Sequence, residues 1–180
     1  MSTDALQLFF SAATQYYVTG RFAVLAGQSP VAGNLLHHAI GMYLKGGLAK
    51  TTTLQDLKKL GHRLPTVWSA FKVRFPNSGL NGFDKLVSSL NAFEELRYPD
   101  SVLAHGMSVV MGVIRTPLPP IPTGATVRPE PKYELYLDEI DALIGKVFEV
   151  ASVNPAFFLA GLQPKARQYL AEANAQSWAG

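Results

Sequence analysis

The chain contains no cysteine. That excludes disulfide staples, a thiolate nucleophile and cysteine-held zinc, and it fits a reducing compartment. No apolar run approaches the roughly 20 residues needed to cross a bilayer. Ahead of Arg21 there is Asp4 and no base, so the charged front of a secretion signal is missing as well. The expectation is a cytoplasmic protein with no membrane partner. Acid is scarce in one place: none occurs from Leu57 to Phe83, a stretch that holds Lys58, Lys59, Arg63, Lys72 and Arg74. Also lacking are a Walker loop, a dinucleotide glycine motif, a nucleophile elbow and a metalloprotease signature. Composition therefore points to no familiar reaction.

The 180 residues, 48% apolar, suffice for one domain with a substantial core. Residues 1–180 are read as that one domain. Charge is uneven along it. Residues 1–83 hold eight bases against two acids, net +6, and residues 84–180 hold eight bases against eleven acids, net −3. Such halves pair within a molecule, pair between two copies, or attract a polyanion.

Apolar spacing predicts a helix from Ser2 or Thr3 to about Ala26 and a second from about Val31 to Ala49, with Pro30 in its first turn. On the second helix Leu35, Leu36, Ala39, Ile40, Met42, Tyr43 and Leu44 cover a broad apolar side. Asn34, His37, His38, Gly41 and Lys45 share the remaining arc, and Gly46-Gly47 weakens the end. Thr53 with Asp56 resembles a capping box opening a third helix, which Gly61 interrupts and Pro65 restarts, running to about Phe75. A fourth spans about Leu80 to Leu96. Val109–Arg115 and Lys132–Leu137 look strand-like, and a segment with six of the twelve prolines separates them, which suggests a small β-hairpin with a long stiff loop. Helices from Asp138 to about Val153, from Asn154-Pro155, and from Pro164 to about Asn174 complete the reading.

Three candidate chemistries emerge. Asn34, His37, His38, Lys45, His62 and Arg63 make a histidine-bearing basic face suited to a phosphate or nucleotide, and Tyr16, Tyr17, Tyr43 and Trp68 have the ring type that stacks a base. Core packing explains those rings equally well. A metal site is not expected, nor any cofactor. Adjacent His37 and His38 diverge by about 100° on a helix, and the carboxylates nearest them in sequence are Asp4 and Asp56. Third, Arg97 and His105 are the residue types that cut RNA without metal, the histidine moving protons and the arginine stabilising the phosphorane, with His62 and His38 as alternates. Arg97 also has Glu94 three residues behind it as a pairing partner.

The runs Asn34-Leu35-Leu36-His37-His38-Ala39 into Tyr43-Leu44-Lys45, Leu57-Lys58-Lys59-Leu60-Gly61-His62-Arg63-Leu64, and Glu94-Glu95-Leu96-Arg97-Tyr98-Pro99 resemble the HEPN family over about residues 5–105. The resemblance implies a mainly α fold, an antiparallel helical bundle, with residues 106–180 adding the hairpin, the Pro-rich loop and C-terminal helices. It implies a homodimer and a nucleotide- or RNA-associated role of the toxin or stress-response sort. It further implies metal-independent ribonuclease chemistry where an arginine and a following histidine are suitably spaced. Here seven residues, Pro99 among them, separate Arg97 from His105, a longer gap than the family motif, and Gly41 stands where relatives often carry an acid. The alternative is a non-catalytic dimeric helical module that binds a protein or a small ligand.

Overall fold

A computed structural model describes residues 3–98, 100, 103, 108–116 and 133–174. His105 and most of the proline-rich segment lie outside the described residues. The chain runs α1 (Thr3–Leu25), α2 (Ser29–Leu48), α3 (Leu54–Lys59), α4 (Leu64–Arg74), a 3-10 turn (Leu80–Phe83), α5 (Asp84–Ala92) and a second 3-10 turn (Phe93–Arg97). After these come β1 (Val109–Gly112), β2 (Tyr133–Tyr136), α6 (Leu137–Val150), α7 (Pro155–Leu159) and α8 (Pro164–Ala173). The molecule is mainly helical with a small sheet and C-terminal helices.

The punctuation works largely as the residue chemistry predicts. Thr53 Oγ1 accepts from the Asp56 backbone N–H at 3.1 Å and caps α3. Asn154 caps α7 by accepting from Ala156 N–H at 3.0 Å, and prolines occupy the first turns of α2, α4, α7 and α8. α6 stops at Val150 rather than Val153, because Ser152 turns left-handed (φ 50°) and Val153 N–H reaches back to the Phe148 carbonyl.

α1 and α2 form an antiparallel hairpin. Phe10 lies at Gly46, Thr14 Oγ1 is 3.0 Å from Tyr43 Oη, and Gly20 lies against Leu36. α2 is the central rod: α1, α4, the Phe93–Arg97 turn and α6 all pack on it. Leu36, Ala39, Ile40, Tyr43 and Leu44 are wholly buried, each large side chain contributing about 1.5–3 kcal/mol of transfer free energy. α2 runs through Gly46 and Gly47 to Leu48, close to the expected end, and the Phe10 and Phe71 rings occupy the space that a Cβ on either glycine would need. One hydrophobic cluster runs from Ala5 to Leu170, with β2 and α6 inside it.

The hairpin expectation is corrected. β1 and β2 pair in parallel, Val109 opposite Tyr133 and Gly112 opposite Tyr136. The twenty residues 113–132 between them are long enough for a crossover, whereas a hairpin needs only a few. β2 then runs straight into α6, which begins at Leu137, so Asp138 sits in its first turn.

The uneven charge is partly resolved inside the molecule. Arg21, fully buried, pairs with buried Asp141, and Lys72 pairs with Asp84.

Candidate functional site

A cavity of about 250 Å³ opens between α2, α3 and the loop before α4. α2 supplies His37, His38, Gly41 and Lys45 from one stripe, α3 supplies Leu54, Leu57 and Lys58, and the loop supplies Gly61 and His62. Phe9, Met42 and Val67 complete an apolar wall, and no acid is among the lining residues. The loop is placed by Gly61, whose φ of +65° is a glycine conformation. Its carbonyl accepts from Lys45 Nζ at 2.6 Å, which ties the loop to α2. Burial lowers the Lys45 pKa from its ordinary value.

Of the two adjacent histidines, His37 is the one that packs inside. The wheel assigned it to a polar arc, yet it is 2% exposed. Its Nδ1 lies 2.8 Å from Glu94 Oε1. The two buried atoms face one another as an ion-pair contact, and neither has a hydrogen bond of regular geometry among the described residues. Burial pushes the His37 pKa down, outweighing the pull of Glu94, and burial also lowers His38. Both rings are therefore neutral near pH 7. The His38 ring lies beside the partly exposed Tyr16 ring, centroids 5.7 Å apart and planes tilted by 46°.

Glu94 is delivered by the Phe93–Arg97 turn. Phe93 and Leu96 are buried and anchor that turn, and the Phe93 ring lies where a Cβ on Gly33 would stand. In a 3-10 turn residues i and i+3 eclipse. Arg97 therefore comes to Glu94, Nη1 to Oε2 at 3.8 Å, from a half-exposed position close enough to His38 to bear on its charge.

Of the residues singled out from the sequence, His37, His38, Lys45 and His62 share the cavity. Asn34 does not line it; its Nδ2 donates to the Pro30 carbonyl of its own helix at 3.0 Å. Arg63 faces a separate shallow hollow with Pro65, Thr66 and Ser69. Arg97 lies at the Glu94 end. Tyr17, Tyr43 and Trp68 are core residues, so Tyr16 is the member of that set left able to meet a ligand. Sequence reasoning found no acid for the two histidines because Glu94 reaches them only through the tertiary fold. His37, His38 and Glu94 present ligand atoms no more than 4.8 Å apart.

Comparison of the chain with protein-family models, with curated proteins and with solved structures finds no match in any of the three.

Proposed function

We propose that the protein is a HEPN-like nucleotide- or RNA-associated protein that seats a phosphate in the cavity between α2 and α3. The observation that carries this reading is the lining itself: Lys45, Lys58, His37, His38 and His62 converge in a recess without a carboxylate among its lining residues. Lys45 spends one N–H on Gly61 and keeps two for a ligand. Glu94 lies behind His37, at one end of the seam, and is not among the lining residues. At about 250 Å³ the recess is below the roughly 300–1,000 Å³ of pockets for drug-sized ligands, so it takes a small anion or one end of a larger molecule. A ribose and base would continue outside it. The HEPN resemblance of the surrounding helices brings a homodimer with it, which sedimentation tests.

An RNA-cutting reading has one observation on its side: Arg97 pairs with Glu94, whose carboxylate lies within 4.8 Å of His38, so that His38 would stand in for His105. Purified protein incubated with labelled RNA and EDTA decides between the two. Binding without cleavage, weakened in Lys58→Ala and by salt, supports the phosphate seat alone. Cleavage lost in Arg97→Ala and His38→Ala supports catalysis. Failure of RNA and of nucleotides to bind overturns the phosphate reading and leaves the protein- or small-ligand module.

A further inference from the structure

We infer that His37, His38 and Glu94 form a binding site for a divalent first-row transition metal ion, of which Zn²⁺ is the representative. The inference goes beyond the phosphate reading and does not depend on it.

Three donor atoms of the kinds such ions prefer, two imidazole nitrogens and one carboxylate oxygen, lie within 4.8 Å of one another. At bond lengths of about 2.0–2.2 Å a tetrahedral ion holds its ligand atoms about 3.4 Å apart. The His37 Nδ1 to Glu94 Oε1 edge, 2.8 Å, must open slightly. The longer edges close by rotation of His38 and Glu94, both only partly buried and so able to move.

A second observation points the same way. Burial of a polar atom without an aligned partner is costly. His37 Nδ1 and Glu94 Oε1 are both buried, face one another, and have no aligned hydrogen bond among the described residues. An ion between them satisfies both. Adjacent histidines on a helix diverge, yet here a nitrogen of each comes within 4.8 Å of the other and of the Glu94 carboxylate, which the Phe93–Arg97 turn supplies and whose other oxygen lies 3.8 Å from Arg97. Three protein ligands leave the ion a coordination position for water or an anion.

The test is a titration of untagged, EDTA-treated, full-length protein with Zn²⁺ by calorimetry, and with Co²⁺ by absorption, with no nucleotide present. The expected result is one ion per chain and a tetrahedral Co²⁺ spectrum. Outer partners of metal ligands are worth about 10–100-fold in affinity, so removing a direct ligand by His38→Ala or Glu94→Gln should weaken binding about a hundredfold or more. Unchanged affinity in both folded variants overturns the site. Should either variant unfold, imidazole nitrogen resonances of the wild-type protein decide. Zn²⁺-induced shifts at both His37 and His38 support the site; shifts confined to His62, or none, overturn it. Because phosphate is absent throughout, these results stand whether or not the cavity holds a nucleotide.

Discussion

Arg21 Nη1 donates to both oxygens of Asp141, at 2.5 and 2.6 Å, in the core between α1 and α6. Tyr17 Oη donates to the same carboxylate at 2.6 Å, accepts from Arg21 at 3.0 Å, and accepts from Asn174 Nδ2 at 3.1 Å. A pair this buried is held by geometry, since both charges have left water.

Removing one partner strands the other. Arg21→Met is expected to cost about 3–5 kcal/mol of unfolding free energy, because Asp141 stays buried without its counter-ion. The double variant Arg21→Met with Asp141→Leu should recover part of that loss. Urea titrations of the three proteins check it; equal stability of Arg21→Met and wild type would refute the pairing.

Two helical glycines of α2 should respond in opposite directions. A Cβ on Gly33 would lie 2.0 Å from the Phe93 ring, so Gly33→Ala overpacks the core and costs about 1–3 kcal/mol. It also displaces the turn that carries Glu94. Gly41 has only Leu64 Cδ1 nearby, at 3.8 Å, so Gly41→Ala gains helix propensity and stabilises by about 0.5–1 kcal/mol. Thermal midpoints of the two variants measure the contrast.

Stability should fall as pH drops through the acid range, partly through Glu134. Arg115 Nη1 donates to its carboxylate at 2.6 Å and holds its pKa below the usual glutamate value. A carboxyl depressed in the folded state contributes stability that is complete above its unfolded value, about 4.3, and is lost as pH falls through the lower folded value. Glu134→Gln should therefore be less stable than wild type at pH 7, and the gap should close toward pH 3. A gap that persists unchanged would remove Glu134 from the acid response.

Lys45 and Lys58 should separate binding from stability. Lys58 lines the cavity from exposed α3, so Lys58→Ala is expected to weaken anion binding several-fold and leave the unfolding free energy within about 0.5 kcal/mol. Lys45→Met should reduce both, because it also releases the Gly61 carbonyl and the His62 loop. Anion titrations beside urea curves distinguish the two.

Much of the helical frame was legible in the sequence because its signals are local. Thr53, Asn154 and the prolines at helix starts act within a few residues of themselves. The strand direction was not legible, since nothing in Val109–Gly112 or Tyr133–Tyr136 encodes which way a long connection returns. The packing role of Gly46-Gly47 was not legible for a similar reason: the rings that need those glycines come from α1 and α4. At the site, the stripe of His37, His38 and Lys45 could be read from helical period alone. That His37 is buried, that Asn34 turns onto its own helix, and that Glu94 arrives from beyond α5 are properties of packing.

The Tyr17 to Asn174 bond joins positions 157 apart and has a consequence for synthesis. A nascent chain emerging from the ribosome exposes α1 and α2 early, but Tyr17 on the interior face of α1 gains Asn174 only after residues far along the chain have emerged. Arg21 likewise gains Asp141 only when α6 has emerged, so the α1–α2 hairpin formed before that lacks the buried ion pair of the finished fold.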